Sequence, residues 1–208
     1  MRSRKGGRRH LLLLYKHTMD RLWLPTLILG LVMALVWWFA SVGDIPALQP
    51  PRDMWVFMGA LVVLAFTLFS LLARNMSYVQ AKEDHLRVVT PFLRLKISYR
   101  RFISGHPEVA HEIFPPTKLK KSERRFISPF YAHTAVVIKI NEFPLPQSVL
   151  RLFLSNFMFT SKFTGFVFLV QDWIALSMEI DNLYGIWRDA QFASKQKPTG
   201  FMRGMYKE

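Results

Sequence analysis

Two uninterrupted apolar runs, Leu22 to Val42 and Met54 to Ala73, dominate the pattern of the chain, and neither carries a charge. Each is close to the length a helix needs to cross a hydrocarbon core of about 30 Å, at about 1.5 Å per residue. Only GDIPALQPPRD separates them, and its paired prolines suit a tight turn. The pattern predicts a transmembrane helical hairpin over residues 22–74. Pro25 falls in the first turn of the first span, where a missing N–H costs little. Trp23, Trp37, Trp38 and Trp55 lie near the span ends, where amphipathic rings suit the membrane interface. Gly30, Ala34 and Gly59 are small enough to bring the two helices together.

After Arg74 the period changes. Ser77 to Lys82 reads as a short strand, Glu83-Asp84-His85 as a polar turn, and Leu86 to Val89 as a second strand. The cleanest alternation follows: Leu93, Leu95, Ile97 and Tyr99 point one way, and Arg94, Lys96, Ser98 and Arg100 the other. This predicts a half-buried strand with a basic outer face. It is expected to run on through Phe102 and Ile103 and to end at Gly105-His106-Pro107. Residues 108–130 read as irregular because of Pro115-Pro116. Ala135 to Ile140 and Gly165 to Val170 are β-type runs. Val149 to Phe159 is apolar and fits a short helix or a strand, or a segment touching the membrane. Asp172 suits the N-cap of a closing helix whose stripe is Leu176, Ile180, Leu183, Trp187 and Ala190.

These elements divide the chain into a basic N-terminal segment (1–21), the hairpin (22–74, with spans near 22–42 and 54–73), an α+β domain (77–194) and a basic tail (195–208). Residues 1–10 are expected to be disordered until they meet lipid. Leu11 to Arg21 is either a short interfacial helix or an extension of the first span.

Charge gives the hairpin a direction. The chain carries a formal net charge of +14. Arg2, Arg4, Lys5, Arg8, Arg9, Lys16 and Arg21 precede the first span and Arg74 follows the second. The loop between them holds Arg52 against Asp44 and Asp53. An excess of Lys and Arg beside the span ends marks the cytoplasmic side. Both termini are therefore expected in the cytoplasm, with the basic domain facing the anionic leaflet. No nucleic-acid recognition motif competes with that explanation of the charge. The chain has no cysteine, which excludes disulfides, thiolate nucleophiles and cysteine-ligated metals.

Catalytic chemistry finds little support. His106, Glu108, His111 and Glu112 are the one metal-like cluster, but the two histidines lie five apart with Pro107 between them, so they do not share a helical face. There is no nucleophile elbow, phosphate-binding loop or dinucleotide fingerprint. With no charge inside either span, an ion pathway through the hairpin has no carrier. No catalytic, cofactor or metal residue is assigned, and the chain is expected not to be an enzyme. The best binding candidates are Lys118, Lys120, Lys121, Arg124 and Arg125, opposed only by Glu123, together with Arg94, Lys96 and Arg100 on the alternating strand. Anionic headgroups or an acidic partner would suit them, and a solvated loop is the plain alternative.

The stretch Tyr78 to Phe102, ending in Ile97-Ser98-Tyr99-Arg100-Arg101-Phe102 and followed later by one amphipathic helix, resembles bacterial pleckstrin-homology-like (PH-like) domains. Such domains often follow a pair of transmembrane helices. The resemblance implies a bent antiparallel β-barrel closed by the C-terminal helix, and a binding or scaffold module at the inner membrane of a bacterium. The insertion from Glu108 to Pro129 departs from the compact pattern. The expectation is therefore a multi-pass inner-membrane protein that contacts anionic lipid or a protein partner. The alternatives are an accessory subunit of a larger membrane complex and, third, a membrane-bound enzyme.

Overall fold

The computed structural model describes residues 6–42, 52–160 and 162–196, with the backbone alone at 52, 53 and 194–196. The first five residues, the loop between the spans and the tail beyond Gln196, read above as part of a basic segment, a tight turn and a basic tail, lie outside the described residues. The chain forms two compact units. One contains Leu11–Tyr78, and the other joins Met1–His10 to Val79–Glu208.

The first unit is a pair of helices, α1 (Leu13–Val42) and α2 (Arg52–Ala73). Both are long and apolar enough to cross a membrane. Leu11 to Arg21 mostly continues α1, so the extension reading holds. Large apolar side chains on both helices, among them Leu24, Ile28, Leu35, Phe39, Trp55, Val62 and Leu68, remain exposed. That is the opposite of a helix buried in a soluble core. Small residues line the contact between the helices. A Cβ on Gly30 would sit 2.7 Å from Leu64 Cδ2, and one on Gly59 would sit 2.7 Å from Met33 Cε. Trp37 packs on Phe57 with ring centroids 4.6 Å apart. The buried Thr67 hydroxyl donates to Thr26 Oγ1 at 3.0 Å. Arg74 and Asp20 pair at 3.2 Å beyond the apolar stretch.

The second unit is α+β. Strands β1 (His10–Leu11), β2 (Tyr78–Ala81), β3 (His85–Val89) and β4 (Arg94–Ser98) form a four-stranded sheet in chain order. The limit of the unit falls inside β1 and at the start of β2. In β4, Leu95 and Ile97 are buried while Arg94 and Lys96 are exposed, as the alternation predicts. A 3-10 turn at Tyr99–Arg101 then leads into β5 (Phe102–Val109), which joins β6 (Thr134–Ile140) and β7 (Gly165–Phe168) in a three-stranded antiparallel sheet. Among the described residues the two sheets do not close into a barrel.

β5 does not end at Pro107; it runs to Val109, with Pro107 opposite Val136. β5 is an edge strand, where a residue without an N–H can face away from its partner. β6 lies between β5 and β7, and Ala135 to Ile138 and Ile140 are all buried. Every residue of β7 is buried too. Gly165 is required there, because an added Cβ would run into the Ile138 carbonyl.

Helix α3 (Ala110–Ile113) and helix α4 (Lys121–Ile127) lie between β5 and β6, and helix α5 (Gln147–Phe153) between β6 and β7. Helix α6 (Trp173–Gln196) closes the chain and packs against β5 and β6. Asp172 accepts from the Ala175 amide at 3.0 Å, as an N-cap should. Leu176 and Ile180 are fully buried, Leu183 and Trp187 are half-buried, and Ala190 is exposed. The rings of Trp187 and Tyr184 complete a cluster with Tyr99 and Phe102, with centroid separations of 4.7 to 6.4 Å.

The N-terminal segment is part of this unit from residue 6. The Gly7 amide donates to Ala81 O at 2.7 Å, and Gln80 Nε2 donates to Gly7 O at 2.9 Å. The carboxylate of Glu179 on α6 accepts from the Arg8 amide at 3.0 and 3.2 Å and meets His10 Nε2 at 3.3 Å. Disorder was expected from composition, but paired backbone groups and a carboxylate at the right distance hold residues 6–10.

Candidate functional site

The insertion after β5 carries most of the predicted basic residues, and it is not irregular. Beyond Pro115-Pro116 the chain makes a 3-10 turn (Pro116–Lys118) and then α4. Lysine, glutamate and arginine are good helix formers once no proline intervenes. Glu123 accepts from the Lys120 amide at 3.0 Å, satisfying a donor that the helix start leaves open. Ile127 is fully buried and anchors the C-terminal end. Phe126 stacks on Phe157 with centroids 5.4 Å apart, joining α4 to the segment that follows α5.

All five predicted residues of the run are exposed, but the structure brings only some of them together. Lys121, Arg124 and Arg125 line one shallow hollow of about 480 Å³ with Ser122 and Ser128. The Arg124 guanidinium also donates to Pro116 O at 2.6 Å, which fixes its stem. Lys118 lines a different hollow, and Lys120 stands at the helix start. Arg94 and Lys96 lie on the outer face of β4, in the four-stranded sheet, with Arg87 directly opposite Lys96. Like charges placed this way repel, so this face is expensive unless an anion covers it. Arg100 is in a third place, lining a hollow with Trp187, Arg188, Gln191 and Phe192 of α6. The eight candidates therefore lie in several places, not on one surface.

Sequence reasoning passed over Arg87 and Arg151. The first was legible, because its neighbours Leu86 and Val88 turn inward. Arg151 was not, because Val149 to Phe159 fits either kind of element. The segment folds as α5 and a 3-10 turn (Asn156–Met158). Arg151 then lines a hollow of about 420 Å³ with Lys118, Glu123, Asn156 and the rings of Phe114, Phe157 and Phe159.

The metal-like cluster comes apart. His106 and Glu108 lie along β5, where Glu108 pairs with Lys162 and lies 3.7 Å from His106. His111 packs edge-on to Tyr131 instead, at 5.7 Å. Among the described residues no group of three or more His, Asp and Glu side chains is placed to hold a metal.

Comparison with family models, with curated proteins and with solved structures found no match. The chemistry of this region is that of charge and apolar contact. Exposed cations stand on one short helix, and its single acid is engaged with the Lys120 amide.

Proposed function

We propose that this chain is a membrane-anchored binding module of a bacterial inner membrane, whose α+β unit is PH-like and binds anionic lipid at the cytoplasmic face. The observation that carries the reading is α4. Lys121, Arg124 and Arg125 share one exposed hollow, and Glu123 is turned to the start of the helix. Each cation beside an anionic leaflet contributes about 1 kcal/mol, and the attraction fades within about 8 Å at physiological salt. Three such groups on a tethered unit would set how it meets the membrane.

Four strands, then three, then a helix over β5 and β6 support the PH-like reading. The bond from the Gly7 amide to Ala81 O supports placing both ends of the hairpin on one side of the membrane. The lysines and arginines flanking the spans favour the cytoplasmic side. The accessory-subunit alternative draws on α6, where Ile174, Met178 and Phe192 are exposed and could meet a protein partner.

The test uses the full chain in nanodiscs of phosphatidylcholine, with and without phosphatidylglycerol, and follows amide exchange over residues 118–128. Anionic lipid should slow that exchange, and salt should restore it. The triple variant Lys121→Gln, Arg124→Gln, Arg125→Gln should lose the response. Equal exchange in the two lipid mixtures would refute the reading. Reporter fusions at Glu208 and near Leu48 check the orientation: a C-terminal reporter active only outside the cytoplasm overturns it.

A further inference from the structure

The hollow between the insertion and α5 differs in kind from the open face of α4. Its floor is aromatic: Phe114 and Phe159 are buried, and Phe157 is wedged between Phe114, 5.5 Å away, and Phe126. Two cations line it, Lys118 from the insertion and Arg151 from α5, and the one carboxylate among the described lining residues is Glu123, which the Lys120 amide engages. At about 420 Å³ it falls within the usual range of small-molecule sites, about 300–1,000 Å³. A few polar groups over an apolar floor suit a ligand with a charged head and a greasy body.

We propose that this hollow binds one anionic phospholipid, with the headgroup phosphate between Lys118 and Arg151 and the start of an acyl chain on the phenylalanine floor. The proposal rests on the lipid-binding reading of α4 and deepens it from a charged surface to a site for a single molecule. Charge favours an anion, because two cations line the hollow against the single carboxylate of Glu123. The apolar floor selects a lipid over a free phosphate. A third observation points to a bilayer as the source. α5, which supplies Arg151, turns Val149, Leu152 and Phe153 outward, and Leu152 is 77% exposed. A cationic wall that carries outward apolar side chains suits partial burial at the boundary between headgroups and acyl chains. A guanidinium also fits phosphate with two parallel donors, which makes Arg151 the more selective of the two cations.

The experiment keeps the full chain in a non-ionic detergent and counts bound ligand by native mass spectrometry. The probes are dihexanoyl phosphatidylglycerol, dihexanoyl phosphatidylcholine and glycerol 3-phosphate. One equivalent of the anionic lipid should be retained, with the neutral lipid and the glycerol phosphate each at least tenfold weaker. The double variant Lys118→Gln, Arg151→Gln changes two exposed side chains and should weaken binding of the anionic lipid at least tenfold. Lipid held by the two spans is common to both proteins and cancels in the comparison. The triple α4 variant should keep single-lipid binding within about threefold, even where it loses the nanodisc response. That separates the two readings: equal exchange in the two nanodisc mixtures refutes α4 alone, and single-lipid binding that falls in the double variant leaves this site standing. Equal lipid binding by the parent and the double variant overturns the proposal. So does glycerol phosphate binding as tightly as the lipid, which would make the hollow a phosphate site only.

Discussion

Two glycines predict opposite outcomes for one substitution. Gly165 in β7 faces the Ile138 carbonyl, a backbone atom that cannot move aside, so Gly165→Ala should destabilise the α+β unit by about 1–3 kcal/mol. Gly185 in α6 has nothing within 4 Å of where its Cβ would stand. Gly185→Ala should therefore stabilise by about 0.5–1 kcal/mol, since glycine is poor in a helix interior. Thermal melts of the full chain in detergent should move in opposite directions. Tyr99 offers a test in pH. Burial, with a smaller contribution from Asp84, holds its phenol well above the usual tyrosine range. The folded state therefore keeps the proton that an unfolded chain releases near pH 10, and stability is full below that pH and falls above it. Tyr99→Phe should blunt the alkaline loss of stability. At pH 7 the same change should cost little, because the hydroxyl is buried with no hydrogen-bond partner among the described residues. A large drop in Tm at pH 7 would count against this account.

Among the elements, those with one dominant period were legible. β4 alternates because one face is core and the other is wet, and α6 opens at Asp172 because a carboxylate there meets a free amide. Elements defined by distant partners were not legible. α4 depends on Ile127 and Phe126 finding a core from within a run of lysines and arginines, and nothing local announces Phe157 as the ring beneath them. The same holds for residues 6–10, where a basic, glycine-containing sequence is fixed by Glu179, some 170 positions away. Hydrogen bonds to a charged group are worth about 1.5–3 kcal/mol, and this carboxylate is partly solvated, so Glu179→Ala should cost about 1–2 kcal/mol. Amide exchange at Gly7 and Arg8 should quicken about tenfold, and an unchanged rate would contradict the role given to Glu179.

At the scale of the molecule the sequence yields a hairpin followed by a domain, while the contacts give a unit whose chain is discontinuous. The hydropathy pattern locates the two helices, because uncharged runs of that length are long and apolar enough to cross a membrane. It is silent on β1, since two residues carry no period. Deleting residues 2–10 should leave the hairpin in the membrane and yet raise the protease sensitivity of residues 79–196. The physical reason is that β2 would lose His10 of β1 and the Gly7 bonds at Gln80 and Ala81, and Glu179 of α6 its contacts with Arg8 and His10. Equal digestion of the parent and the truncated chain would show that the segment adds nothing.

Synthesis meets that discontinuity as a delay. His10 leaves the ribosome before the hairpin, and Tyr78 after it. At about 5–20 residues per second the first strand waits some 3–14 s for its partner. During that interval the two apolar runs emerge, before the larger part of the α+β unit. Segments with exposed strand edges invite pairing with the wrong chain during such a pause. Charges beside a strand oppose such pairing, and Arg8 and Arg9 stand immediately before β1.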